Sequence, residues 1–103
     1  MVKSKLELEF EAELLQHAQL AARQFGAQTA RFAERIHSRG GVDAVREYLH
    51  RRRPSDAFGT LADAGRLDLS MEASVIKGTF GMLFTDEEAD ACLALLLENG
   101  YFG

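Results

Sequence analysis

The chain has 103 residues, of which 47% are hydrophobic and 27% charged, and its formal net charge at pH 7 is −4. This length predicts one domain with a small core, and this composition excludes a disordered or low-complexity chain. No apolar run approaches the roughly 20 residues of a membrane-spanning helix, and the first residues do not resemble a secretory signal, so we expect a cytoplasmic protein. The single cysteine excludes an intramolecular disulfide.

Charge is distributed unevenly along the chain. Residues 1–15 carry two lysines and four glutamates, whereas residues 16–53 carry eight arginines and three acidic residues. Residues 54–103 carry one arginine, one lysine and nine acidic residues. The middle of the chain is therefore basic and the last half is strongly acidic, which predicts two kinds of surface.

The first predicted element is a long amphipathic helix over residues 4 to about 39. Small and apolar side chains recur there at steps of three, four or seven, and Gly40 and Gly41 end the pattern. Alternation of apolar and acidic residues at 6–11 would also fit a strand, but leucine, glutamate and alanine are poor strand formers. A break at Gly26 is the alternative, because glycine in a helix interior costs about 1 kcal/mol relative to alanine. Residues 4–25 would then fold back as a separate helix.

Two short helices are predicted next. Val42, Val45 and Leu49 form one apolar stripe, and this helix must end before Pro54, because a proline disfavours helical geometry in the residue before it. Ser55 is in position to cap a third helix over residues 56–64.

The last half predicts two more helices separated by a buried connection. Asp68 or Ser70 is suited to cap the fourth helix, and the glycine-containing segment 78–84 is expected to be buried. Thr85 and Glu88 match a capping box, which predicts that a fifth helix begins there and runs to about residue 98. Its predicted core face consists of Ala89, Cys92, Leu93, Leu96 and Leu97.

These elements predict an all-α fold with a long N-terminal helix followed by a compact bundle of about four short helices. The whole chain, 1–103, is one helical domain. A helix of about 35 residues would be roughly 50 Å long, whereas a compact domain of this size is about 35 Å across, so about ten residues would overhang. We therefore expect residues 1–16 to be a protruding or partner-packed extension. The expected partner is a second copy in a homodimer or another protein. The residues predicted to bind it are Leu6, Leu8, Phe10, Leu14 and Leu15.

The basic middle segment is a second candidate surface. Its arginines are spaced along one helix face and then occur as a run before Pro54. Such a cluster can bind phosphate backbones or an acidic partner, or it can pair with acidic residues of the same chain. The residues concerned are Arg31, Arg35, Arg39, Arg51, Arg52 and Arg53.

No catalytic or metal-binding signature is evident in the sequence. None of the three histidines has a second histidine or a cysteine three or four residues away, which is the spacing that places two ligands on one helix face. Cys92 lies on the apolar side of the last predicted helix and is expected to be a buried thiol. We expect no enzymatic activity, no cofactor and no metal.

Three segments resemble a group of small uncharacterised bacterial all-α proteins: RGGVDAVREYL, AGRLDLSMEA and LFTDEEADACLALLLENGY. Those proteins share a Gly-Gly helix stop, a Gly-Arg-Leu-Asp-Leu-Ser-x-Glu segment and a final helix capped by Leu-Phe-Thr-x-Glu-Glu. The resemblance covers about residues 25–102 and does not include the acidic first 15 residues. It implies a fold but no activity. Small proteins of this kind are often carried by mobile elements or phages, which implies a small regulator or inhibitor, such as an anti-defence protein.

The sequence thus predicts a non-enzymatic protein-interaction module. The alternative is a nucleic-acid-binding regulator that uses the basic segment 31–53.

Overall fold

Six α-helices and two short 3-10 helices form the fold of the described part of the chain. The computed structural model describes residues 4–101, and no strand occurs within them. The helices are α1 (Lys5–Phe25), α2 (Ala30–Arg39), α3 (Gly41–His50), α4 (Phe58–Asp63), α5 (Met71–Val75) and α6 (Asp86–Glu98), and the 3-10 helices are Leu67–Leu69 and Gly78–Leu83. The all-α prediction is confirmed. Residues 1–3 of the predicted extension and residues 102–103 of the predicted domain lie outside the described residues.

The prediction of one continuous helix over residues 4–39 is wrong. The Ser4 side chain accepts a hydrogen bond from the Glu7 amide and caps α1, which ends at Gly26. Gly26 has φ of 65°, a left-handed conformation that glycine adopts at low cost, and its N–H donates to the carbonyls of Ala21 and Ala22. With 21 residues, α1 is roughly 32 Å long and fits within the 39 Å longest dimension of the molecule. From Ser4 onwards, α1 therefore lacks the ten-residue overhang that the sequence predicted.

The first turns of α1 contribute to the core of their own chain. Phe10 and Leu14 are fully buried, and the Phe10 ring packs edge to face against Phe80 and Phe84, with centroid distances of 5.0 and 5.3 Å. These rings come from residues about 70 positions further along, a contact that the spacing of residues in α1 could not show. The premise that these two residues need a partner molecule is therefore wrong.

The other three residues of the predicted partner-binding set divide in the same way. Leu6 and Leu15 are partly buried and pack against the same core. Leu8 points away from it and is 54% exposed. A single exposed leucine is normal for a protein surface, so the geometric reason for a homodimer through this end of α1 no longer holds.

The two glycines between α2 and α3 have different roles. Gly40 has φ of 90° and ψ of 159°, a region that is essentially restricted to glycine; its N–H donates to Ile36, and its carbonyl accepts from Ala44. Gly41 begins α3 where that helix lies close to α1. A Cβ atom there would lie 2.7 Å from Cγ of Glu11 and 3.3 Å from Cδ1 of Leu14. The pair therefore turns the chain sharply and lets α3 approach α1.

Local capping signals account for the helix starts in the last half, with one exception. The capping box of Thr85 and Glu88 is present at the start of α6, and Ser70 caps α5 by accepting from the Ala73 amide. Ser55 does not cap the next helix as predicted. Its hydroxyl donates to the buried carboxylate of Glu72 instead, and α4 begins only at Phe58.

The predicted core face of α6 and the predicted buried connection are each half correct. Cys92 and Leu96 are buried in the two core clusters, but Leu93 and Leu97 are exposed. In the segment 78–84, Phe80 and Phe84 are buried, whereas Met82 is 92% exposed.

None of the helices described in residues 4–101 combines the length and the apolar character that crossing a membrane requires.

Candidate functional site

Four of the six predicted arginines meet around one cleft between α2 and the end of α3. Gly40 turns α3 back beside α2, so side chains at successive turns of α2 lie next to the last turn of α3. The cleft has a volume of about 30 Å³, the size of a single water molecule. Its lining residues are Arg31, Arg35, Glu47, Tyr48, Arg51 and Arg53.

Glu47 of α3 lies at the centre of this arginine cluster. Its Oε1 accepts a hydrogen bond from Nη1 of Arg35 and lies 3.6 Å from Nη2 of Arg51. Its Oε2 lies 3.8 Å from Nη1 of Arg39. The hydrogen bond from Arg35 is the main cause that lowers the pKa of Glu47, so this carboxylate is ionised at neutral pH. One negative charge therefore faces three guanidinium groups.

A second carboxylate, Asp56, holds the loop after α3 against α2. Nη2 of Arg31 donates to Oδ1 of Asp56 at 2.7 Å, and Nε of Arg31 donates to Oδ2 at 3.2 Å. The Tyr48 hydroxyl donates to the same Oδ2 at 2.9 Å. These hydrogen bonds lower the pKa of Asp56, and the bond from Arg31 has the largest effect. The two-point contact is the geometry that guanidinium groups prefer with carboxylates.

We call the surface formed by the six arginines the arginine face. Its members are Arg31, Arg35, Arg39, Arg51, Arg52 and Arg53. Within residues 4–101 the ion pairs of these six arginines are with two carboxylates, Glu47 and Asp56, which leaves an excess of four positive charges. The side chains of Arg31 and Arg51 are each 62% exposed, so this charge is accessible to another molecule.

Arg46 belongs to the same basic segment but has a different role. Its Nε donates to Oε2 of Glu88 at 2.9 Å, and its Nη2 donates to the carbonyl of Leu83 at 3.2 Å. Burial raises the pKa of Glu88, but the bonds from Arg46 and the Thr85 amide outweigh burial and lower it. Arg46 therefore joins α3 to the start of α6.

The surroundings of His17 and Cys92 bear on whether these side chains take part in chemistry. No group of three or more histidine, cysteine or acidic residues in the described part of the chain is placed to hold a metal ion. His17 is half-buried, and burial lowers its pKa. Cys92 is buried, and burial near Glu72 and Glu88 raises the pKa of its thiol to about 12, so it is not a nucleophile at neutral pH.

Sequence reasoning identified the arginines of this site but not the residues that organise them. Glu47, Tyr48 and Asp56 were not singled out. The one available signal was the spacing of Glu47 and Arg51, because residues four apart on a helix are neighbours.

No protein-family model matches the chain, and no curated protein or solved structure matches it.

Proposed function

We propose that this protein is a non-enzymatic interaction module that binds an acidic partner protein on the arginine face. The observation that carries the proposal is the convergence of Arg35, Arg39 and Arg51 on the single carboxylate of Glu47. Like charges at close range repel one another, so further carboxylates at this position reduce the repulsion among the three guanidinium groups. A protein partner with clustered aspartate or glutamate side chains supplies such carboxylates.

The chemistry of the face supports a carboxylate partner. Arg31 already binds Asp56 at two points, and the other arginines surround Glu47, so carboxylate is the anion that this site accommodates within its own chain. The overall charge of −4 and the acidic last half oppose the approach of a long polyphosphate. A short acidic segment of a protein avoids that repulsion because it contacts only the basic surface.

A nucleic acid is the second candidate partner. Arg31, Arg35 and Arg39 follow one another at single-turn intervals on α2, and a row of this kind also fits the regular charges of a phosphate backbone. This candidate uses the same residues as the first one. The two are distinguished by whether the arginine face binds an acidic peptide or a nucleic acid more tightly.

A small protein that works by covering an acidic surface suits the role of a regulator or inhibitor, including one encoded by a mobile element or phage. The support for this extension is the resemblance of the three sequence segments together with the basic surface.

Fluorescence anisotropy with a labelled glutamate oligomer tests the proposal. Binding should weaken steeply between about 50 mM and about 200 mM salt, because the contacts are between exposed charges. Arg39→Glu should weaken it about tenfold, which corresponds to about 1.4 kcal/mol.

Arg23→Glu is the matched control. Arg23 lies in the last turn of α1 as Arg39 lies in the last turn of α2, so both substitutions have the same effect on net charge and on the helix dipole. Equal losses in the two variants would contradict a specific site. A short DNA duplex that binds more tightly than the glutamate oligomer at the same salt would favour the second candidate.

A further inference from the structure

A mainly apolar groove lies next to the arginine face. It lies between the end of α3 and α6 and has a volume of about 280 Å³. Its apolar walls are Leu49, Pro54, Ala91 and Leu95. This volume is just below the roughly 300–1,000 Å³ of small-molecule sites, which suits one large apolar side chain better than a cofactor.

The floor of the groove has no polar group in need of a ligand. Both carboxylate oxygens of Glu72 accept hydrogen bonds from Ser55, one from the amide and one from the hydroxyl, each at 2.8 Å. Burial raises the pKa of Glu72, and burial raises the pKa of the neighbouring Cys92 thiol to about 12, so the thiol is uncharged at neutral pH. An apolar group can therefore enter without leaving a buried polar atom unpaired.

Arg52, at the exposed rim, has a backbone conformation that is unfavourable for arginine. The Arg52 amide donates to Leu49, the Arg53 amide donates to Tyr48, and Arg52 itself has φ of 55°. Two other helices end with the same pair of hydrogen bonds, and there the left-handed residue is glycine, Gly65 after α4 and Gly100 after α6. A left-handed conformation has an energetic cost for a residue with a side chain. The fold retains this cost at the rim of the groove.

The groove and the arginine face are continuous. Arg53 lines both the groove and the cleft that contains Arg31 and Arg35, and Arg52 extends the positive charge along the rim. An apolar group in the groove therefore has cations on the side that faces the cleft.

We propose that the groove receives one leucine-sized or phenylalanine-sized side chain of the acidic partner, from a segment whose flanking carboxylates bind Arg52 and Arg53. This inference rests on the proposed function and specifies the partner: a segment with an apolar anchor within an acidic run. The charge complementarity at the rim selects this occupant over an uncharged apolar segment.

Two peptides test the inference: an acidic peptide with one central leucine and the same peptide with serine in that position. The wild-type protein should bind the leucine peptide about tenfold more tightly, because burying a leucine contributes at least about 1.5 kcal/mol. Ala91→Trp fills the groove from an exposed position of α6 and should remove this preference, while it leaves the affinity for the serine peptide unchanged. Ala94→Trp, at an exposed position of α6 outside the groove, is the matched control and should keep the preference.

The outcomes separate the inference from the proposed function. Binding of both peptides with equal affinity, or a preference for leucine that survives Ala91→Trp, overturns the groove inference and leaves the acidic partner intact. No binding of either peptide overturns the proposed function and the inference with it. If Ala91→Trp instead abolishes self-association of the free protein in sedimentation velocity, a second copy is the occupant and the inference is wrong.

Discussion

Arg46 and Glu88 join α3 to the first turn of α6, with Nε of Arg46 2.9 Å from Oε2 of Glu88. The same carboxylate accepts the Thr85 amide at 2.8 Å, so one side chain serves both the capping box and the contact between helices. The Arg46 guanidinium also lies over the Phe84 ring, 5.9 Å from its centroid. Among the arginines of residues 31–53, Arg46 is therefore the one we expect to matter for stability.

Arg46→Ala should lower the free energy of unfolding by about 1–3 kcal/mol, because it leaves the largely buried Glu88 carboxylate without its cation. Arg51→Ala is the control: the Arg51 side chain is 62% exposed, and Glu47 keeps its contacts with Arg35 and Arg39, so the substitution should change stability by about 0.5 kcal/mol at most. Urea denaturation measures both values. Equal losses would show that Arg46 has no special structural role.

The buried Glu72 carboxyl predicts a pH-dependent difference between wild type and Glu72→Gln. Burial raises the pKa of Glu72 in the folded state above its ordinary value of 4.5. Well below pH 4.5 the carboxyl is protonated in both the folded and the unfolded state, so this group adds no pH dependence there. As pH rises above that value, the folded state binds more protons than the unfolded state, and the contribution of Glu72 to stability falls.

Glutamine keeps a neutral side chain that can accept from the Ser55 amide and donate to the Ser55 hydroxyl. The stability of Glu72→Gln relative to wild type should therefore increase as pH rises from 4.5 towards neutrality. Thermal unfolding followed at a series of pH values measures this difference. A difference that stays constant with pH would contradict the assignment of a raised pKa.

The end of α3 predicts a substitution that stabilises the protein. Arg52→Gly should raise the free energy of unfolding by about 0.5–1 kcal/mol, because glycine removes the left-handed strain while it adds some entropy to the unfolded chain. Gly65→Ala introduces the same strain at the equivalent position of α4, where a Cβ atom would meet nothing within 4 Å. It should destabilise the protein by about 1 kcal/mol. Changes of the same sign in both variants would refute this account of Arg52.

The first turns of α1 distinguish a core segment from a free surface. Phe10→Ala should cost about 3–5 kcal/mol, because it leaves a cavity beside Phe80 and Phe84. Leu8→Ala, two residues away on the exposed side of the same helix, should change stability by about 0.5 kcal/mol at most. Chemical denaturation of the two variants gives the comparison. A small loss for Phe10→Ala would restore the prediction that this end of α1 packs on another molecule.

Features that depend on neighbouring residues were predictable from the sequence, and those that depend on distant residues were not. The capping box at Thr85 and the Ser70 cap follow from residues three positions apart. The cost of glycine within a helix made a break at Gly26 an alternative, but the packing of Phe10 on Phe80, 70 positions away, could not be read from the sequence. Local spacing offered Ser55 as a cap, yet its partner is Glu72, 17 residues away.

The same limit applies to the candidate site. The arginines are visible in the sequence because their charge and spacing are local properties. Their convergence on Glu47 depends on the turn at Gly40 and on the orientation of α3 beside α2. The sequence therefore predicted a basic surface, but it did not predict that one carboxylate organises that surface.

The most direct test of the central claim, that the arginine face binds carboxylates of a partner, is an NMR titration of the isotope-labelled protein with a glutamate oligomer. The account predicts that amide shift changes concentrate in residues 30–53, that they are much smaller in Arg39→Glu at the same oligomer concentration, and that they persist in Arg23→Glu. Shift changes that cluster on α1 or α6 instead would contradict it. So would an absence of shift changes at oligomer concentrations that saturate the binding of the same oligomer to a control polycation.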